Sequence, residues 1–318
     1  MTKILLTRPF PEAVIEAAQQ LGDVELRDNP EPMTATELRA ALALYDAIMP
    51  TLGDRVTEEL LAEFETPRTK ILANFGVGYN HINAEACRAK GIVVSNTPGA
   101  VTDATADIAM TLILMSCRRA GEGERMVRAG KWEGWTPIQM LGTHVTGRKL
   151  GVVGMGRIGK AIAARCHNGF GMEIAFYNRS RVADAGVPAT QMDSLSDLAN
   201  WAEIIVVAVP GSPQTHHMIN AEFFQAMQSR AHFVNIARGD VVDEAALITA
   251  LQTGQIAAAG LDVYEFEPEV PEALRVLDNV TLLPHLGTAA LEVRERMGLM
   301  AVENIRAVLA GEVPPNAV

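Results

Sequence analysis

A glycine-rich turn between a short apolar strand and a helix constrains this chain more than any other stretch. Residues 150–159 read L-G-V-V-G-M-G-R-I-G, so Gly154, Gly156 and Gly159 form the pattern G-x-G-x-x-G. In this pattern the first glycine makes a tight turn, the second lets a pyrophosphate approach the backbone, and the third lets helix and strand pack closely. The N-terminus of the helix offers free N–H groups and a positive dipole end to phosphates. The stretch therefore predicts a dinucleotide-binding unit.

Strand-like and helix-like stretches alternate on both sides of this turn, and a closing helix is predicted over residues 290–309. Strands separated by single helices favour parallel sheets that are covered on both faces, which is the α/β class. The 318 residues suffice for two such domains. The predicted strands cover residues 4–7, 24–26, 47–49, 71–73, 92–94, 152–153, 174–177, 204–209, 232–236, 258–262 and 280–283.

A long apolar helix is predicted to begin near Val101 and to continue past Met115. Apolar residues occupy so much of its circumference that we expect it to be buried between domains or subunits. A loop rich in Gly, Trp and Pro follows over residues 130–142.

Composition and charge exclude several classes of protein. The net charge is −11 and no basic stripe is present, which argues against binding to nucleic acid. The apolar runs are too short to cross a membrane, and a strand signal starts at Lys3 without the layout of a signal peptide. Cys87, Cys117 and Cys166 form no C-x-x-C pair, so we expect buried thiols in a reducing compartment. We therefore expect a cytoplasmic protein without a metal site.

The turn after the second strand of the dinucleotide unit indicates which dinucleotide binds. The fingerprint places an acidic residue there, where it accepts hydrogen bonds from the adenine ribose. This chain has Asn178, Arg179, Ser180 and Arg181 instead. Arginine grips phosphate through its planar fork and serine can donate one more bond, so the turn favours NADP(H), with NAD(H) still possible. The alternative is that both arginines are solvated surface charges.

Three consecutive strand ends carry residues suited to one reaction. Arg238 follows the first strand, a carboxylate near Asp262 follows the next, and His285 follows the last. In an open parallel sheet, ligands bind at the carboxyl ends of strands. Arginine suits a substrate carboxylate, and histidine suits proton donation to a carbonyl oxygen that gains charge as hydride arrives. A carboxylate against the other ring nitrogen favours the protonated imidazole. The set predicts reduction of a 2-oxo acid.

The remaining histidines are interpreted as structural or surface residues, because none follows a strand in a comparable setting. They are His81, His144, His167, His216, His217 and His232. We expect no metal pair at His216 and His217, since adjacent side chains diverge on regular elements.

In these motifs the chain resembles the D-isomer-specific 2-hydroxyacid dehydrogenase family, over essentially its whole length. The resemblance rests on residues 154–159 (G-M-G-R-I-G), 235–240 (N-I-A-R-G-D), 262–268 (D-V-Y-E-F-E-P) and 284–288 (P-H-L-G-T). Within the family it is most similar to glyoxylate/hydroxypyruvate reductases, because of N-R-S-R at 178–181 and W-E-G-W-T-P at 132–137.

The resemblance implies the role of each site residue. Arg238 would bind the substrate carboxylate, His285 would be the general acid in reduction, and Glu267, not Glu265, would pair with His285. By the resemblance, Val77, Gly78 and Trp135 would also contact substrate, the tryptophan in a neighbouring subunit, although a core or interface tryptophan is an equal alternative. Leu52 is expected to contact substrate only from its position near the end of the predicted strand 47–49. The residues expected to contact the cofactor, beyond the glycines and the turn 178–181, are Thr105, Arg157, Ile158, Val209, Pro210, Thr215, Ile236, Ala237, Asp262, His285 and Gly287.

The resemblance also implies the architecture. Two Rossmann-like domains are expected, a flavodoxin-like substrate-binding domain over residues 1–98 and 288–318 and a dinucleotide-binding domain over 99–287, with a cleft between them. A homodimer is expected, built around the long apolar helix and the loop after it. Asn80 and Asn83 stand where the family often has Asp, and a lysine typical of phosphite-oxidising members is absent near Asn74.

The leading hypothesis is an NADPH-dependent reductase of glyoxylate and hydroxypyruvate. Other enzymes of the same class remain open, namely a reductase of bulkier 2-oxo acids and a 3-phosphoglycerate dehydrogenase, although the latter usually carries a C-terminal extension. A dinucleotide-sensing corepressor is the alternative that is not an enzyme. It predicts long disordered tails, which we do not expect here.

Overall fold

A computed structural model of the protein describes residues 2–318. The chain divides into two compact units, one formed by the chain up to Val101 together with Ala289–Val318, the other by Thr102–Thr288. Each unit has a parallel sheet with hydrophobic clusters on both faces, which confirms the predicted α/β class. Among the described residues, no helix combines the length and apolarity needed to cross a bilayer.

The first unit contains a five-stranded parallel sheet in the order β2-β1-β3-β4-β5, the strand order of flavodoxin-like folds. Thr34 and Glu37 form a capping box, since the side chain of Thr34 accepts from Glu37 N–H while the glutamate accepts from the backbone N–H of Thr34. The elements are β1 (Lys3–Leu6), α1 (Glu12–Gln19), β2 (Asp23–Leu26), α2 (Ala35–Leu44), β3 (Ala47–Met49), α3 (Glu58–Ala62), β4 (Ile71–Ala73), α4 (Ala84–Ala89) and β5 (Val93–Ser95).

The second unit contains a seven-stranded parallel sheet in the order β12-β11-β10-β9-β6-β7-β8. The order reverses between β6 and β9, which is the switch point where dinucleotides bind in this fold. The elements are α5 (Thr102–Arg118), α6 (Ala120–Arg128), β6 (Lys149–Val153), α7 (Arg157–Phe170), β7 (Glu173–Tyr177), β8 (Ala189–Gln191), α8 (Leu195–Trp201), β9 (Ile204–Val207), α9 (Ala221–Ala226), β10 (His232–Asn235), α10 (Glu244–Gln252), β11 (Ala258–Leu261), α11 (Glu272–Arg275) and β12 (Val280–Leu282).

Helices cover both faces of each sheet. The closing helix α12 (Leu291–Leu309) returns to the first unit and packs against α1, where Val14 contacts the helix at Gly298. The opposite face of that sheet is covered by α2, α3 and α4. In the second unit, α5 and α7 cover one face and α8, α9 and α10 the other. The sheets are therefore buried on both faces, as runs of apolar strand residues require.

The long apolar helix α5 is buried within its own unit. It packs on α7, β10 and β11, while Asp103, Asp107 and Thr111 are exposed on its outer side. Arg165 of α7 pairs with both aspartates. The sheet and α7 together account for its buried residues, so its apolar circumference does not require the expected burial between domains or subunits.

Candidate active site

The glycine turn after β6 has the geometry that a dinucleotide site needs. Gly154 has φ +99°, and a Cβ there would come within 3.0 Å of Ala208 and Val209. A Cβ on Gly159 would lie 2.1 Å from the carbonyl oxygen of Gly154, so only glycine lets α7 pack this closely. A Cβ on Gly156 would meet no atom within 4 Å. The middle glycine is therefore open to an approaching group, and the other two are fixed by packing.

The first residues of α7 follow this turn directly. The helix begins at Arg157, and the backbone N–H groups of Arg157 and Ile158 have no carbonyl partner in the preceding turn of helix. Val209 and Pro210 follow β9 on the other side of the switch point. Thr215 closes their loop, since its hydroxyl donates to the carbonyl oxygen of Pro210 at 2.8 Å. These residues surround the carboxyl ends of the two strands between which the order reverses.

Arg238 follows β10 and is half-buried, with its Nε fully shielded from solvent. Its Nη1 donates to the carbonyl oxygen of Ala237 at 2.7 Å, whereas its Nε has no hydrogen-bond partner among residues 2–318. Burial lowers the pKa of this guanidinium, while the carboxylates of Glu267 and Asp240 favour its charged form. A buried N–H donor without a partner is costly, so this nitrogen is suited to a ligand carboxylate. Ile236 and Ala237 precede it and are buried.

His285 follows β12 and pairs with Glu267. Its Nδ1 lies 2.8 Å from Oε2 of Glu267, and the other carboxylate oxygen accepts from the backbone N–H of Tyr264 at 3.1 Å. Burial disfavours ionisation of Glu267, but His285, the Tyr264 N–H and Arg238 outweigh it and lower the pKa of the carboxyl. An ionised carboxylate only accepts, so Nδ1 is the donor in this pair and Nε2 takes no part in it.

The loop that carries His285 is held by two residues from other elements. Asp262, after β11, accepts from the backbone N–H groups of Leu286 at 2.6 Å and Gly287 at 2.8 Å. Thr105 of α5 donates to the carbonyl oxygen of Gly287 at 3.2 Å. Burial raises the pKa of Asp262, although the two backbone hydrogen bonds and the nearby His285 act to lower it. Three residues expected around the cofactor thus contact one another and fix the backbone at His285, where φ is +53°.

A second histidine–glutamate pair lies beside the first. Nε2 of His217 lies 2.7 Å from Oε1 of Glu265. The rings of His216 and His217 stack with centroids 4.0 Å apart at an angle of 24°, so the sequence-based argument that they diverge was wrong. The reason is the left-handed backbone of His217 at φ +48°.

These three side chains bring their potential ligand atoms within 4.8 Å of one another. The lone pair of an imidazole nitrogen lies in the plane of its ring, and stacked rings place these lone pairs in two separate planes, an arrangement unsuited to binding one ion together. We assign no metal to this group.

The turn after β7 presents its charged side chains to solvent. Arg179, Ser180 and Arg181 are exposed, and neither guanidinium makes a hydrogen bond or ion pair with any other described residue. Asn178 points inward, and its Oδ1 accepts from the N–H of Met155 in the glycine turn at 3.2 Å. The turn is therefore attached to the glycine motif, and it carries two guanidinium groups that are paired with no described carboxylate.

In the first unit, a loop after β4 displays backbone N–H groups. Asn74 donates to the carbonyl oxygens of Gly76 and Gly78, and Asn96 donates to that of Val77. The N–H groups of Val77 and Gly78 donate to no other described residue. The carbonyl oxygens of this loop already accept hydrogen bonds from asparagines, while these two N–H groups remain available as donors. The loop is therefore suited to bind an anion. The two asparagines were missed from the sequence, because side-chain bonds to a loop backbone leave no periodic signal.

Two further predicted residues are exposed. Leu52 lies in the loop after β3, where its side chain is 40% accessible. Trp135 is 78% accessible in the irregular segment 129–142, which also exposes Trp132, Ile138 and Leu141. Large exposed apolar side chains concentrated in one segment are typical of an interaction surface.

Comparison with known proteins finds a matching family model and relatives that align over nearly the whole chain. The family model for the NAD binding domain of D-isomer specific 2-hydroxyacid dehydrogenases matches residues 110–287. The chain is 42% identical to glyoxylate reductase of Thermococcus kodakarensis, over 99% of this chain and 96% of that protein. It is 37% identical to glycerate dehydrogenase of Hyphomicrobium methylovorum, over 97% and 96%.

A solved structure extends the comparison to the fold. The NADPH-dependent glyoxylate/hydroxypyruvate reductase of Sinorhizobium meliloti, in complex with NADP and malonate, matches with a TM-score of 0.89 at 34% identity. The match covers 100% of this chain and 96% of that chain. The resemblance inferred from the sequence motifs is confirmed. This protein belongs to the D-isomer specific 2-hydroxyacid dehydrogenase family, whose members are oxidoreductases acting on CH–OH groups.

Proposed function

We propose that the protein reduces small 2-oxo acids with NADPH, converting glyoxylate to glycolate and hydroxypyruvate to D-glycerate. The observation that carries the proposal is the group of residues after β10, β11 and β12. There, an arginine with a buried and unpaired Nε is accompanied by the hydrogen-bonded pair of His285 and Glu267. The relatives named glyoxylate reductase and glycerate dehydrogenase support the same substrates.

Each residue of the group has one task in this proposal. Arg238 binds the substrate carboxylate and orients the carbonyl. His285 donates the proton on Nε2 to the carbonyl oxygen as negative charge develops there. Glu267 holds the ring through Nδ1 and stabilises its charged form. The nicotinamide cofactor, when bound, supplies the hydride that reaches the carbonyl carbon.

The residues present fit a dinucleotide. Gly156 leaves the backbone open beside the N-terminus of α7, where a pyrophosphate would be held by backbone N–H groups. Arg179 and Arg181 carry charges that no carboxylate of residues 2–318 neutralises, and we propose that they bind the 2′-phosphate of NADPH. NAD(H) lacks this phosphate and would bind more weakly.

A kinetic comparison tests the proposal. Oxidation of NADPH and NADH is followed with glyoxylate, hydroxypyruvate and phenylpyruvate, for the wild type and for His285→Ala. We expect turnover with both small acids, a preference for NADPH, and a loss of roughly a hundred- to ten-thousand-fold in kcat for the variant. Faster turnover of phenylpyruvate would favour a reductase of bulkier acids, and equal kcat/KM with NADH would refute the cofactor preference.

We further propose that the protein is a cytoplasmic homodimer in which the segment 129–142 lies at the interface. The exposed Trp132, Trp135, Ile138 and Leu141 support an interface there. The three cysteines are unpaired and buried, as thiols are in a reducing compartment. Size-exclusion chromatography with light scattering should give twice the chain mass, and Ile138→Asp should shift the protein towards monomer.

A further inference from the structure

One side-chain amide holds the backbone of the turn 178–182 at three points. Gln191, at the end of β8, donates from Nε2 to the carbonyl oxygens of Asn178 at 3.3 Å and Ser180 at 3.0 Å. Its Oε1 accepts from the N–H of Val182 at 3.0 Å. The amide therefore uses its donor and its acceptor on the same short segment, on both sides of Arg179 and Arg181.

Asn178 attaches the same turn to the glycine motif. Its Oδ1 accepts from Met155 N–H at 3.2 Å, and its Nδ2 donates to the carbonyl oxygen of Ser180 at 2.9 Å and to the hydroxyl at 3.2 Å. Met155 lies between the first two glycines of the motif. The turn is thus fixed from β8 on one side and from the glycine motif on the other.

The arginines that this turn carries are held by nothing else. Neither guanidinium has a hydrogen bond or an ion pair to another residue in the range 2–318. Long side chains lose rotamer entropy when they bind, so their contribution depends on a backbone that already places them. A mobile turn would spread the two charges over a larger volume and weaken a bidentate contact to phosphate.

We propose that Gln191 is a positioning residue for the choice of cofactor. It fixes the turn 178–182 and so places Arg179 and Arg181 for the 2′-phosphate that distinguishes NADPH from NADH. Gln191 acts through the backbone of the turn and does not itself bind the phosphate. The inference rests on the proposed preference for NADPH and names the residue on which that preference depends.

Gln191→Met tests the proposal, because methionine keeps the length of the side chain and removes all three hydrogen bonds. We expect kcat/KM with NADPH to fall about five- to tenfold, mainly through KM, while kcat/KM with NADH changes less than about twofold. Inhibition by 2′,5′-ADP should weaken to a similar extent, and inhibition by 5′-AMP should not. Gln191→Glu, which keeps the acceptor for Val182 but loses both donations, should lower the preference in the same direction.

Gln228 offers a matched control. Its amide also donates to three backbone carbonyls, those of Asn200, Trp201 and Ala202, at 3.0 to 3.2 Å. These residues precede β9 and lie at the amino end of the sheet, opposite the strand ends where ligands bind. Gln228→Met should lower thermal stability and leave the ratio of kcat/KM for NADPH and NADH unchanged.

The outcomes separate this inference from the proposed function. If Gln191→Met loses the preference for NADPH over NADH and Gln228→Met keeps it, the proposed positioning role of Gln191 is supported. If Arg179→Ala removes the preference and both Gln191 variants keep it, the proposed cofactor choice stands and the inference about Gln191 is wrong. If the wild type shows no preference for NADPH, or Arg179→Ala leaves it intact, the proposed cofactor choice fails and the inference fails with it.

Discussion

Glu265 and Glu267 stand two residues apart and hold two different histidines. Glu267 pairs with Nδ1 of His285 at 2.8 Å, and Glu265 pairs with Nε2 of His217 at 2.7 Å. The two glutamates of this loop therefore contact histidines in two separate loops. His285 lies in the loop after β12, and His217 lies in the loop after β9. Only the first pair contains the histidine proposed to donate the proton, so the two glutamates should differ sharply in kinetic tests.

Glu267→Gln should impair proton donation. A neutral amide cannot stabilise the imidazolium as the carboxylate does, so we expect kcat to fall at least about tenfold. Binding of NADPH should be nearly unchanged. Glu265→Gln is the control, because it makes the same chemical change at the other pair. An equal loss of kcat in both variants would contradict the proposed role of Glu267.

Arg238→Lys should weaken substrate binding. Lysine presents a single ammonium group instead of the planar fork that grips a carboxylate at two points, so we expect KM for glyoxylate to rise about tenfold or more. Steady-state kinetics measure the change. Arg230→Lys serves as the control, since Arg230 is an exposed partner of Glu203 and the same exchange there should leave KM unaltered. If Arg238→Lys kept the KM and kcat of the wild type, the proposed role of Arg238 in binding the substrate carboxylate would be wrong.

Asp262→Asn should loosen the loop that carries His285. One oxygen that now accepts from Leu286 or Gly287 becomes an NH₂ group facing an N–H donor, which we expect to cost about 1–3 kcal/mol in the free energy of unfolding. The value of kcat should fall too, because His285 loses its fixed backbone. Asp243→Asn is the control, since Asp243 caps α10 by accepting from Ala246 N–H and asparagine caps helices equally well.

His232 should make the protein less stable in acid. Ser116 and Thr143 hydrogen-bond its two ring nitrogens, and burial lowers its pKa to about 4. Between that value and the unfolded-state pKa of 6.5, the unfolded chain binds the extra proton, so the free energy of unfolding decreases as pH falls below 6.5. The loss should reach about 2 kcal/mol at pH 5.

Thermal unfolding across pH 5 to 7 measures this effect. In His232→Asn the slope of melting temperature against pH should be shallower than in the wild type. His144→Asn is the control, because His144 is exposed and its replacement should leave the slope as it is. Parallel slopes for the wild type and His232→Asn would show that His232 does not govern acid sensitivity.

The sequence predicts long, apolar and motif-bearing segments well and predicts contacts between distant segments poorly. The buried strands and the long helices were found because their apolar residues recur at regular spacing. The helix α6 was missed because none of its residues is buried, β8 because it is a short edge strand, and α11 because it has only four residues.

The same contrast holds for the candidate site. Arg238, Glu267 and His285 stand out at strand ends, and the motifs of the family imply how they pair. The bond between Thr105 and Gly287 and the bonds of Gln191 to its turn join side chains to backbone. Such bonds impose no spacing on the sequence, so the structure was needed to find them.

Gly156→Ala and Gly159→Ala separate binding from folding within the motif on which the fold depends. A Cβ at position 159 would lie 2.1 Å from the carbonyl oxygen of Gly154, so that variant should lose about 3 kcal/mol or more of stability or fail to fold. A Cβ at position 156 meets no atom within 4 Å, and φ there is −80°. Gly156→Ala should therefore change stability by less than about 1 kcal/mol.

For NADPH binding, the clearer effect should come from Gly156→Ala, the variant whose stability changes less. Alanine at position 156 would place its methyl group where the pyrophosphate is expected to approach, so KM for NADPH should rise about tenfold or more in the well-folded variant. Thermal melts and NADPH titrations of both variants test the pair. If Gly156→Ala binds NADPH as the wild type does, the cofactor does not approach the backbone at this glycine. The role read from its place in the motif would then be wrong, although the packing role of Gly159 would stand.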